Sequence, residues 1–164
     1  MTFGMTIFTI FHVVLSLVGI FSGLVVVFGL ITARRLNGWT AVFLASTVAT
    51  SVTGFLFPFH KFMPSHGVGI VSLIALAVAI FALYARGLAG AWRRTYVVSA
   101  VLSLYLNVFV LIVQLFEKVS RLRAVAPTQS EPPFKITQLF ALVIFVLLGI
   151  LASKKFTKEQ MQTA

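Results

Sequence analysis

The side chains best suited to chemistry in this chain are its three histidines, His12, His60 and His66. Neutral imidazole is a common ligand for zinc, copper and iron. Together with Glu117 the histidines would offer a metal ion three nitrogens and one oxygen. Two of them could instead serve as axial ligands of a haem held between helices. A quinone is a third option, its carbonyls gripped by histidine and amide donors in a phenylalanine-lined pocket. Beside these stands a plainer reading, in which His60 and His66 are wet residues at a membrane interface and His12 bonds a neighbouring helix. The spacing of His60 and His66, with five residues between them, matches no metal motif. The chain has no cysteine, which removes thiolate catalysis, disulfides and cysteine metal sites.

Two of the histidines share one stretch, Phe57-Pro-Phe-His-Lys-Phe-Met-Pro-Ser-His-Gly67. Pro58 and Pro64 each lack a backbone donor and disfavour helix at the residue before them. The stretch therefore predicts a hinge between two helices. Ser65 is a natural N-cap, which puts His66 in the first turn of the next helix. Phe57, Phe59, Phe62 and Met63 keep the hinge apolar, as befits a segment in the headgroup region.

The elements flanking this hinge are expected to be membrane helices. Sixty per cent of the 164 residues are apolar and 10% are charged, and mean hydropathy is +1.07. A soluble domain of this length could not cover so much apolar surface. The apolar runs predict an all-α, polytopic transmembrane helix bundle, a single domain over 1–164. About five spans are expected, at 5–32, 39–57, 67–85, 95–116 and 136–153. The first run lacks a basic n-region and is too long for the apolar core of a signal peptide, so it is expected to stay as a helix. Net charge is +10. In a soluble protein that would point to nucleic acid. Here the bases lie between apolar runs, where they anchor helix ends, and no aromatic-basic recognition motif accompanies them.

Polar residues collect on particular helix faces. In the first run His12, Ser16, Gly19 and Gly23 follow at steps of four, three and four, so they share one face. Such a stripe lets another helix approach closely and turns His12 into the bundle. The second run is rich in small and hydroxyl residues on most sides, which predicts a central helix. In the fourth run Ser103, Asn107, Gln114 and Lys118 follow at steps of four, seven and four. These amides, with Gln138 at the start of the fifth run, are expected to make helix–helix or ligand contacts. Pro127, Pro132 and Pro133 predict a stiff, extended loop over 126–134. Thr128 and Glu131 have capping-box spacing, but Pro132 disfavours helix at Glu131.

Five spans place the termini on opposite sides. Arg34, Arg35, Arg86, Arg93, Arg94, Lys154, Lys155 and Lys158 make eight bases on one side. Lys61, Lys118, Arg121, Arg123 and Lys135 make five on the other. The positive-inside rule puts the eight in the cytoplasm, with the N-terminus outside and the C-terminus inside. All three histidines, Gln114, Glu117 and Gln138 then fall toward one bilayer face.

Several segments carry a resemblance. They are the hinge through Gly69, Ala89-Gly-Ala-Trp-Arg93 with Tyr96-Val-Val-Ser-Ala100, Leu104-Tyr-Leu-Asn-Val-Phe109, and Ala126-Pro-Thr-Gln-Ser-Glu-Pro-Pro-Phe134. From about His12 to Leu151 the chain resembles a family of small polytopic inner-membrane proteins of proteobacteria. That resemblance implies an inner-membrane location and brings no activity with it.

Several function classes lack their residues. No Asp or Glu lies in mid-span, as ion-coupled transport usually needs, and the chain is short for a transporter unless it dimerises. There is no phosphate-binding glycine loop, no G-x-S-x-G and no H-E-x-x-H. The expectation is a small structural or ligand- or partner-binding membrane protein, not an enzyme, with a histidine-bearing site near the outer face. Its partners would be the lipid bilayer and a membrane protein or a second copy of the chain. The alternative is a haem-, metal- or quinone-binding redox protein using His12, His60 and His66.

Overall fold

A computed structural model describes the backbone over 3–57 and 64–162, and side chains over 6–57 and 66–156. The elements are α1 (Phe3–Ile31), α2 (Asn37–Gly54), α3 (Pro64–Ile80), α4 (Trp92–Lys118), α5 (Ser120–Val125) and α6 (Pro132–Gln162). A single π turn, Phe81–Ala85, extends α3. Among the described residues there is no strand. His60 and the rest of the hinge core, 58–63, lie outside the described residues.

Among the described residues four helices are long and apolar enough to cross a membrane: Thr6–Ile31, His66–Ala85, Trp92–Lys118 and Pro132–Phe156. The expected count of about five is thus not supported by length and composition alone. The helix left out is α2, because Thr40, Ser46, Thr47, Thr50, Ser51 and Thr53 dilute its apolar character. Its hydroxyls turn back on their own helix. Ser46 donates to the Val42 carbonyl at 2.6 Å, Thr50 to Ser46 at 2.8 Å and Thr53 to Ala49 at 2.7 Å. Hydroxyls satisfied in this way need no neighbouring helix. That explains a correction: the central helix is α4, which packs on α1, α3 and α6, whereas α2 lies mainly between α1 and α3.

Helix ends follow local chemistry. After α1, Arg34 N–H bonds the Gly29 carbonyl at 2.7 Å and Ala33 N–H bonds Leu30 at 3.2 Å. This Schellman cap holds Ala33 at φ 56°, where glycine is usual. Leu88, after the π turn, also has positive φ (61°) and is 2% exposed. Burial of its side chain offsets a backbone strain of roughly 1–2 kcal/mol. The sequence places Ser65 as the cap of α3; the helix starts one residue earlier, at Pro64, and keeps His66 in its first turn. The last helix begins at Pro132, four residues before its predicted start, because the first helical N–H groups lack intrahelical partners and proline is tolerated there. Helix α5 occupies part of what the sequence presents as loop.

The core forms where α4 meets its neighbours. Phe43, Leu76, Val97, Leu104 and Phe156 are among its most deeply buried members. Gly23 lies against Leu104 and Phe43, so closely that a Cβ there would meet them at 2.6 and 2.9 Å. A side chain at this position would force α1 away from both α2 and α4.

Candidate functional site

The end of the bundle built from the start of α1, the end of α2, the start of α3 and the end of α4 gathers most of the candidate residues. His12 is half-buried. Its Nδ1 lies 2.8 Å from Thr53 Oγ1, and its ring stands edge-on to Phe57 at 5.1 Å. Phe8 packs on the same Phe57 ring at 4.9 Å. The single hydroxyl proton of Thr53 is directed to the Ala49 carbonyl. With the Thr53 hydroxyl on that carbonyl, the matching tautomer of His12 donates through Nδ1–H and leaves Nε2 as the acceptor side of the ring.

His66 sits half-buried on α3 with its ring 5.8 Å from Phe55. Glu117 is exposed and Gln114 half-buried in the last turns of α4. Among the described residues no three His, Cys, Asp or Glu side chains form a group able to hold a metal ion. His12, His66 and Glu117 are thus not drawn together as a ligand set. Their local partners differ: a threonine hydroxyl for His12, an aromatic face for His66 and an exposed helix end for Glu117.

Just inside this end runs a polar seam between α1, α2 and α4. Ser16 donates to Asn107 Oδ1 at 2.9 Å, and Asn107 Nδ2 reaches back to the Ser16 carbonyl at 3.5 Å. Gly19 lets the seam close. A Cβ on it would meet Thr47 Oγ1 at 3.0 Å, Asn107 Nδ2 at 3.1 Å and Ser46 Oγ at 3.3 Å. Ser103 is fully buried and donates to the Ser99 carbonyl at 2.8 Å. That bond lies within its own helix.

The amide of Gln138 joins α6 to α4, donating from Nε2 to the Phe109 carbonyl at 3.3 Å. Its buried Oε1 has no partner among the described residues. Gln129 makes a similar bond from the α5–α6 loop, donating to the Val113 carbonyl at 3.0 Å. Sequence reasoning passed over Gln129, because a glutamine in a proline-rich loop reads as solvated. It also passed over Thr53 as the partner of His12 and Thr47 as a buried hydroxyl without a partner. Each was one hydroxyl among many in α2, and only the crossing of α1 over α2 distinguishes them.

The loop after α5 is tied by Glu131. Its carboxylate accepts from Thr128 Oγ1 at 2.7 Å, Thr128 N–H at 3.2 Å and Ser130 N–H at 3.0 Å. The Thr128 hydroxyl is the largest of the influences that hold this carboxyl below its ordinary pKa, with the backbone N–H groups adding to it. Thr128 and Glu131 do meet, but in a turn that precedes the helix and not inside its first turn.

No protein-family model, curated protein or solved structure matches the chain.

Proposed function

We propose that the chain is a small integral inner-membrane protein that crosses the bilayer five times and acts as a structural or ligand- or partner-binding bundle, without catalysis. Its histidine-bearing end faces outward and its C-terminus lies in the cytoplasm. The fifth crossing is α2. It runs antiparallel along α1, with Trp39 beside Phe21 and Thr53 beside His12, so it returns through the thickness that α1 traverses. The observation that carries the structural role is how the polar groups are spent. Ser16 with Asn107, His12 with Thr53 and Gln138 with Phe109 join helix to helix. Polar groups engaged in this way hold a bundle together.

One observation favours a second reading, a metal or haem site completed by His60. With Nδ1–H fixed on Thr53, His12 presents a lone pair at Nε2. Metal-ligating histidines commonly have this arrangement, in which the other ring nitrogen donates to an oxygen. A quinone carbonyl needs a donor, which this tautomer of His12 does not offer at Nε2. Elemental analysis of protein purified in mild detergent without a His-tag separates the two readings. The first predicts no near-stoichiometric metal. Iron, copper or zinc near one per chain, lost on His12→Ala, would replace it with the second.

A further inference from the structure

A groove opens sideways between α4 and α6, at the end of the bundle opposite the histidines. Its volume is about 440 Å³. Its walls are apolar, formed by residues such as Val98, Leu102, Leu142 and Val146, and Gly149 thins the α6 side. Arg94 and Lys154 are its two charged lining residues. A second hollow, of about 530 Å³, adjoins it and shares Arg94 and Val98. This hollow reaches the turn before α4, at Gly90 and Ala91.

The dimensions fit a lipid. Arg94 and Tyr105 mark the two ends of the groove on α4, eleven residues apart, or roughly 16 Å of helix. Half of a bilayer's hydrocarbon core is about 15 Å. The groove is therefore one leaflet deep, with its charge where a headgroup would lie. Bases outweigh acids there: Arg93, Arg94, Lys154, Lys155 and Lys158 stand against one acid, Glu159. Arg93, next along α4, places its guanidinium over Phe156 at 5.4 Å and keeps a buried Nε without a partner among the described residues. Glu117 lies 23 residues beyond Arg94 along α4, roughly 35 Å away. Glu131 precedes α6, whereas Lys154 is near its far end.

We infer that this groove holds an anionic diacyl phospholipid. Its phosphate bridges Arg94 and Lys154, one acyl chain lies against Val98 and Val146 over Gly149, and the rest of the headgroup enters the hollow before α4. The inference rests on the bundle crossing a bilayer. It is independent of the histidine end and of the number of crossings.

Native mass spectrometry of the full chain in mild detergent tests it, by titration with phosphatidylglycerol or phosphatidylcholine of identical chains. Phosphatidylglycerol is expected to be retained at roughly tenfold lower concentration, from two basic residues at a membrane surface. The double variant R94Q/K154Q, changed at exposed positions, should erase that preference. R121Q/R123Q, at the opposite end, should leave it intact. Gly149→Leu, which fills the groove, should weaken retention of both lipids. A preference that survives R94Q/K154Q, or that R121Q/R123Q abolishes equally, would overturn the assignment by showing that diffuse positive charge is responsible.

Discussion

Helices α1 and α6 both lie against α4, and they meet it differently. The stripe of α1 is small and polar. Gly19 and Gly23 bring its backbone close to α2 and α4, and Ser16 bonds across to Asn107. The buried side of α6 sets the large Phe145 and Phe156 among the small Ala141 and Ala152, and Gln138 bonds across to α4. Its joint leaves a groove. Of the most apolar stretch of α6, 17% is buried, against 39% for α1. Both are apolar by composition, so apolarity does not decide which joint closes. Small residues at helical spacing close one seam. At the other, small and bulky residues alternate and a groove remains.

Substitutions should sort along that contrast. The largest effect is expected from Gly23→Val. Its added carbons would collide with Leu104 and Phe43, and overpacking of this kind costs about 3 kcal/mol. Thermal unfolding in detergent should register a clear drop in midpoint, whereas the same change at Gly149, where a Cβ would meet only Val101 at 3.5 Å, should cost much less. Equal losses at the two glycines would erase the distinction between the joints.

Asn107→Ala comes next. It removes the α1–α4 bond at the cost of about 1 kcal/mol, the scale of interhelical hydrogen bonds in membranes. Ser16 can recover part of this by bonding its own helix. A double-mutant cycle with Ser16→Ala should give a coupling of the same size, and zero coupling would show that the seam contributes no energy.

A smaller effect is expected from Thr53→Val. It keeps the shape and removes the acceptor of His12. Nitrogen NMR should find the ring protonated at Nδ1 in the wild type and switched toward Nε2 in the variant. The smallest effect belongs to the loop. Thr128→Ala should raise the Glu131 pKa toward the ordinary carboxylate value, as carbon NMR of the carboxyl would show. Because the lowered pKa reflects bonds to the ionised form, the tie is fully present above the ordinary carboxylate range. It is lost as pH falls through the lowered pKa. Wild type and variant should therefore converge in acid.

The helices were legible because lipid-facing runs of apolar residues are long and unambiguous, and the stripe from His12 to Gly23 could be read from its spacing. The status of α2 was harder to judge. Its hydroxyls make it too polar for a confident span by composition, and back-bonding to its own carbonyls is invisible in a linear sequence. The same back-bonding misled the choice of central helix. Pro132 and Pro133 resembled a stiff loop because proline is read as a breaker until the start of a helix is located. At the histidine end the residues were visible but their partners were not. The bond from His12 to Thr53 joins positions 41 apart, and no local pattern encodes it. The groove between α4 and α6 was equally hidden, since it arises from the distance between two helices and not from any motif.

The account depends most on α2 crossing the membrane, which places the histidine end and the arginine end on opposite faces. The chain has no cysteine, so single-cysteine variants report one position each. Asn37→Cys, Ala89→Cys and Ser130→Cys lie at exposed sites at the start of α2, before α4 and before α6. In intact cells with a permeabilised outer membrane, a membrane-impermeant maleimide should label Ser130→Cys. It should reach Asn37→Cys and Ala89→Cys only after the inner membrane is opened. Labelling of Asn37→Cys from the face opposite Ala89→Cys would mean that α2 does not cross, and would contradict the five-crossing bundle.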